Sequence, residues 1–170
     1  MQELSMPGGQ FKIVLTPLDE GNSHGLEQVE FHVAAHPGVS PKPLSKVASG
    51  GELARISLAI SVITSKANAT PTLIFDEVDS GIGGAVADTV GKRLKELGLI
   101  NQVLCVTHLP QVAAQANHHW KVSKSSSASQ TLSTIQALNR NERVEEVARM
   151  LGGSEITDIT RRHARELLGA

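Results

Sequence analysis

Asp76 and Glu77 follow a short apolar run, Thr72–Phe75, and a third acid, Asp79, comes almost at once. Carboxylates set so close repel one another unless a cation lies between them and a ligand. A hard divalent ion such as Mg²⁺ accepts one or two carboxylates together with phosphate oxygens and waters. On that chemistry Asp76 suits a metal shell, directly or through water. Glu77 suits the general base that polarises a water attacking a phosphate. The plainer reading, an acidic pair opening a solvated turn, stays open on this motif alone. Gly81, Gly83 and Gly84 follow and loosen the backbone behind the acids.

Two further stretches carry chemistry. Ser49, Gly50 and Gly51 stand before a helical pattern whose first turn holds Glu52. Backbone N–H groups at a helix start, approached closely over glycine, bind anions, and the serine hydroxyl adds a donor. An N-cap after a flexible loop is the competing reading, and Glu52 fits a capping role better than a phosphate cradle. His108, in "VTHLPQV", follows a second apolar run and so belongs at the same sheet edge as Asp76 and Glu77. An imidazole there could contact a terminal phosphate and hold the attacking water or Glu77 in place, and a structural or incidental histidine is the competing reading.

The elements that must hold these residues read from periodicity. "QFKIVLT" (10–16) and "EQVEFHVAA" (27–35) alternate, with Val29, Phe31 and Val33 on one face and Glu30 and His32 on the other. That pattern predicts antiparallel strands with one wet face, joined by a loop, "PLDEGNSHG". Residues 36–51 read as an extended Pro- and Gly-rich loop. A helix is expected over 52–67, with Leu53, Ile56, Ile60 and Ile63 in register, and another over 85–97. Short, wholly apolar runs at 72–75 and 102–106 alternate with these helices, which predicts a parallel α/β sheet; a helix at 110–116 follows. "HWKV" and "QTLSTIQAL" read as two more strands around a Ser-rich hairpin loop (123–130). The tail from Glu142 is helical, broken at residues 152–154, with an apolar stripe of Val144, Val147, Ala148 and Leu151.

Composition narrows the class. Forty per cent apolar residues with 19 % charged supports one globular core, while 2 % aromatic content argues against base-stacking on single strands. A net charge of −1 announces no basic field, so any contact with DNA must use a local patch. The single cysteine, Cys105, sits in a strand and reads as a buried thiol in a reducing compartment. No stretch is apolar for long enough to span a bilayer, and no secretory pattern opens the chain, so a cytoplasmic protein is expected. Arg161, Arg162 and Arg165 interleave with Glu155, Asp158 and Glu166, the pattern of a solvated, salt-bridged helix. His118 and His119 beside Trp120 lack acids or cysteines at ligand spacing and read as strand or turn residues.

Taken together and in this order, the motifs resemble the ABC-type ATPase heads. "ASGGELAR" is similar to their signature motif, "TLIFDEVD" to the Walker B strand with its following glutamate, "SGIGG" to the D-loop, and His108 to the switch histidine. The segments "LSKVASGGELARISLAI", "QVLCVTHLPQVAAQA", "ERVEEVARMLGG" and "HARELL" narrow the resemblance to an SMC-like bacterial DNA-repair branch, from about Phe31 onward. The resemblance implies ATP and Mg²⁺ as cofactors, with Asp76 on the metal, Glu77 as catalytic base and His108 at the γ-phosphate. Ser49, Gly50, Gly51 and Glu52 would contact ATP held by a second head, and Asp79, Ser80 and Gly81 would lie at the seam of that homodimer. Gly83 stands where many ABC proteins carry an aspartate. The implied setting is a nucleoid-associated protein acting in double-strand break repair and recombination.

The 170 residues contain no G-x-x-x-x-G-K-[ST] and no heptad run. The expected object is therefore the C-terminal half of an ABC-type head, needing an N-terminal P-loop half. Its parts are antiparallel strands (1–36), a signature loop (37–51), an α/β core (52–140) and a helical tail (141–170). A transporter nucleotide-binding subunit would share the signature, but such subunits show Pro and then "SALD" after the glutamate, where this chain has Val78 and Asp79. A docking module that turns nothing over is the non-enzymatic alternative.

Overall fold

The computed structural model describes residues 2–4, 6–46, 49–64, 70–126, 131–153 and 155–169. β1 (Gln10–Asn22) and β2 (Gly25–Ala34) pair antiparallel, and a short β3 (Lys42–Pro43) adds to β2. The loop expected at 17–25 is mostly strand instead: the ladder slips after Pro17 and closes again at Asn22–Gly25. Only Ser23 and His24 turn the chain. The Asn22 side chain accepts the His24 N–H at 2.7 Å and Gly25 takes φ 130°, so the turn formers act at the tip alone.

The register sets Ile13 opposite Phe31 and Leu15 opposite Val29, on the same face as Phe11, whose ring lies 5.5 Å from that of Phe31. This is the dry face of the expected amphipathic pair, yet all five side chains are exposed; in β2 only Val33 and Ala34 are buried.

α1 spans Gly50–Thr64, two residues earlier than its apolar pattern suggests, because Ser49 caps it. The Ser49 hydroxyl accepts the Glu52 N–H at 3.4 Å and its carbonyl accepts that of Leu53 at 3.0 Å. Residues 65–67 of the expected helix, like the Ser-rich residues 127–130 and Val47 and Ala48 of the loop, lie outside the described residues. The buried face of α1 is Gly51, Arg55, Ile56 and Leu58, so of the four expected apolar positions only Ile56 enters the core, and Leu53, Ile60 and Ile63 face outward.

β4 (Thr72–Phe75) and β5 (Gln102–Cys105) form the parallel pair, in register from Thr72–Gln102 to Phe75–Cys105. α2 (Gly84–Leu97) connects them and α3 (Pro110–Gln115) follows β5. One core joins Ile56 and Leu58 of α1, Phe75, Val78, Val90, Leu94 and Leu97, Val112 of α3, and Leu4, Met6 and Val33. Two strands cannot bury both their faces under helices on one side. Ile74 accordingly remains 71 % exposed, where wholly buried strands were expected.

β6 (Trp120–Ser126) and β7 (Thr131–Ala137) form a separate hairpin, so Ser123–Ser126 belong to a strand rather than to the loop. α4 (Arg140–Gly152) and α5 (Asp158–Leu168) pack through Val144, Val147, Ala148 and Ala164. Both start at capping boxes, Asn139 with Glu142 and Thr157 with Thr160. The Arg143 guanidinium docks this tail on the end of α3, donating to the carbonyls of Ala113 (3.2 Å), Ala114 (3.1 Å), Ala116 and Asn117. The Ala113 carbonyl also accepts the Ala116 N–H at 3.3 Å, so the guanidinium adds to a cap already present at the end of α3. Arg161 pairs with Asp158, as its interleaved charges predict, and also with Glu145 of α4, which that pattern did not include.

The buried Glu146 ties hairpin to tail, receiving Lys121 Nζ and Arg149 Nη2 at 2.6 Å each. Burial alone would raise its carboxyl, but the hydrogen bonds and charges of Arg149 and Lys121 outweigh burial and hold it below the ordinary value of 4.5. A lowered carboxyl stabilises the fold fully above pH 4.5, and that contribution is lost as pH falls through the folded value. Glu146→Gln should therefore lower the urea midpoint at pH 7 and show a shallower further loss below pH 4.5 than the parent chain.

Candidate functional site at the parallel strand ends

Beyond Phe75 the chain reverses at Glu77, which adopts φ 57°, the one left-handed non-glycine among the described residues. Asp76 Oδ1 accepts the Glu77 N–H at 2.9 Å and the Glu77 carbonyl accepts the Ser80 N–H at 3.0 Å, closing a tight turn. The turn sends Val78 and Asp79 inward and leaves the Asp76 and Glu77 side chains exposed. Holding a glutamate left-handed costs about 1–2 kcal/mol. Burying the Val78 side chain returns about 1.5–3 kcal/mol, so the reversal is sustained by the core beneath it.

Asp79 is only 2 % exposed, and its Oδ2 is committed within the chain. It accepts the Thr107 hydroxyl at 2.5 Å and the His108 N–H at 3.0 Å, and lies 3.2 Å from His108 Nδ1. The sequence resemblance assigns Asp79 to a dimer seam with Ser80 and Gly81; of the three, only Ser80 and Gly81 are exposed. The register that pairs Phe75 with Cys105, continued by the Val106 N–H to Phe75 carbonyl bond at 3.0 Å, puts the acids and His108 at the same sheet edge. The His108 ring itself stays exposed. Burial, then the charges of Asp79 and Asp76, push the Cys105 thiol up to about 12, so it remains protonated and inert.

The start of α1 joins this edge. A side chain at Gly50 would run into the Glu77 carboxylate, and a Cβ at Gly51 would lie 2.8 Å from the Ser80 carbonyl oxygen. Gly51 is thus required by close approach of backbone, whereas at Gly50 the exposed Glu77 side chain could swing aside. Glu52 lies 3.7 Å from His36 Nε2. Arg55, 5 % exposed, fastens the arrangement: Nη1 donates to the Ser80 carbonyl at 2.8 Å and Nε to that of Leu4 at 3.1 Å. Burial lowers its pKa, with Glu52 acting against the fall. Sequence reading passed over Arg55 and Thr107. Arg55 had a signal, since it falls in helical register with Gly51, Leu58 and Val62. Thr107 had none, its partner Asp79 lying 28 residues away.

Asp76 Oδ2 has no hydrogen-bond partner among the described residues, and no group of three or more His, Cys, Asp or Glu side chains converges there to cage a metal. A single free carboxylate fits an ion that keeps its waters and takes phosphate oxygens, as Mg²⁺ does, and does not fit an all-protein site.

No protein-family model matches the chain. Over 99 % of its length it is 51 % identical to the DNA repair protein RecN of Xylella fastidiosa, 48 % to that of Haemophilus influenzae and 46 % to that of Deinococcus radiodurans. The chain spans about 30 % of the length of these curated relatives. Among solved structures it resembles one described as structural biochemistry of ATP-driven dimerization and DNA stimulated activation of SMC ATPases. That match has TM-score 0.53 and 22 % identity over 91 % of this chain and 88 % of that one. It also resembles the Smc head domain with a coiled coil and joint from Pyrococcus yayanosii, with TM-score 0.60 and 22 % identity over 86 % of this chain and 26 % of that one. Along nearly its whole length the chain is thus similar to part of the RecN proteins, and its fold is similar to that of SMC ATPase heads.

The strain at Glu77 is separable from its chemistry. Glu77→Gly should raise the free energy of unfolding by about 1 kcal/mol and Glu77→Ala should not, as measured by urea titration.

Proposed function

We propose that this chain is one half of an ATP-hydrolysing head that works in bacterial DNA double-strand break repair and recombination. The observation that carries the reading is the shared strand edge, where Asp76, Glu77 and His108 stand together with the start of α1 against Glu77. Asp76 would hold Mg²⁺, which when bound neutralises charge on the transferred phosphate. Glu77 takes the proton of the water as its oxygen attacks the terminal phosphorus, and the bond to the leaving nucleoside diphosphate breaks in line. His108 orients that water or contacts the terminal phosphate. The exposed Ser49, Gly50, Ser80 and Gly81, with the half-buried Glu52 and the buried Gly51, supply the face toward a nucleotide held by a second head. Asp79 stands behind that seam.

The remaining parts of the site come from a P-loop-bearing N-terminal half of the same head. Support comes from the uncovered apolar faces: Phe11, Ile13, Leu15, Val29 and Phe31 on one sheet, and Ile74 and Val106 beside the parallel strands. Apolar patches of that extent are found where another protein surface packs. DNA engages the assembled protein in a soluble, nucleoid-associated setting; among the described residues no helix is long and apolar enough to cross a membrane.

Mixing the chain with a P-loop-bearing N-terminal half, with and without DNA, tests the reading. The 170-residue chain alone should show no appreciable ATP turnover and the mixture should hydrolyse ATP. Glu77→Gln in the mixture should retain ATP binding, accumulate closed dimers and lose at least about 10²-fold in turnover. Normal turnover in that variant removes Glu77 as the base. Turnover by the chain alone that vanishes with Glu77→Gln removes the need for a second half.

A further inference from the structure

We propose that Asp79 is the positioning residue for His108, fixing the imidazole so that Nε2 is the atom presented at the strand edge. The geometry stands by itself; only its consequence for turnover rests on the reading of His108 given above.

The His108 ring is 69 % exposed, so packing alone does not select its orientation. What selects it is one buried oxygen. Asp79 Oδ2 receives the Thr107 hydroxyl at 2.5 Å and the His108 backbone N–H at 3.0 Å. A backbone N–H can only donate, so Oδ2 is an acceptor in this arrangement. Nδ1 lies 3.2 Å from the same oxygen, and a carboxylate that close favours a proton on Nδ1 over a lone pair facing it. In the neutral ring Nε2 carries the lone pair, and in the cation it carries a second N–H; in both forms Nε2 points outward along one direction. Thr107 completes the grip, because its oxygen also accepts the Leu109 N–H at 3.1 Å, at the entry to α3. The carboxylate is held in turn by the turn at Glu77 and the Arg55 bond to the neighbouring Ser80 carbonyl. The ring direction is therefore set by the loop that also sets Glu77.

Long-range ¹H–¹⁵N spectra of the histidine rings in the 170-residue chain test this, with His108 assigned by its loss in His108→Gln. Above the pH at which the ring becomes neutral, parent His108 should show the Nδ1–H tautomer, against the Nε2–H form that a free imidazole prefers. Asp79→Ala should revert to Nε2–H, while Asp79→Asn, which keeps an acceptor oxygen, should retain Nδ1–H. An Nε2–H pattern in the parent chain overturns the proposal, and this measurement decides even if Asp79→Ala does not fold. In the mixture with the P-loop-bearing half, Asp79→Ala should lower kcat by about 10- to 100-fold with KM unchanged, and Asp79→Asn should recover most of it. Full turnover in His108→Ala would sink the functional reading of His108 and leave the tautomer result standing. Loss of turnover in His108→Ala with normal turnover in Asp79→Ala would sink the positioning role instead.

Discussion

The strand edge depends on one backbone reversal. Glu77 is held at a left-handed φ that its side chain disfavours, and the reversal drives Val78 into the core and Asp79 beneath the end of the neighbouring strand. From that point the rest follows. Asp76 and Glu77 are left in solvent, Thr107 and His108 are tethered to a carboxylate 28 and 29 residues earlier in the chain, and Ser80 is turned toward α1. An extended Glu77 would place Val78 in water and withdraw Asp79 from both partners. The electrostatic cost of clustered carboxylates is thereby divided. One acid is satisfied by hydrogen bonds inside the chain, and two remain exposed to solvent.

The second fixture is Arg55. A guanidinium buried in the apolar face of a helix is costly unless its donors are used, and here they reach carbonyls on two separate segments. Gly51 lies flush against Ser80 beneath it. The start of α1, the loop after Glu77 and the entry to α3 are consequently joined by short polar contacts on top of the shared apolar core, and those contacts fix direction more tightly than apolar contact alone does.

The order of helices and strands was legible because the apolar periods change cleanly from two to a mixture of helical spacing and short solid runs. The strand-end acids and His108 were legible for the same reason: a parallel ladder puts the residues after its strands on one edge. The start of α1 was not, since Ser49 as a cap draws Gly50 and Gly51 into the helix although glycine disfavours it. Burial was misjudged where it mattered most. Leu53, Ile63, Phe31 and Ile74 obey the periodicity of buried positions and are exposed, because a sequence records what a residue packs against without recording whether that partner lies in the same stretch of chain. Buried polar ties such as Asp79 to Thr107 leave no periodic trace at all.

The β6–β7 hairpin has its own consequence. Its first residue, Trp120, is the single tryptophan of the chain and is 59 % exposed, with Val122 and Ile135 on the same face and equally open. With no Tyr and no second Trp, near-ultraviolet-excited emission arises at this one place. The indole is thus an intrinsic optical probe: whatever covers that face displaces water from the ring and shifts its emission to the blue, reporting assembly without a label.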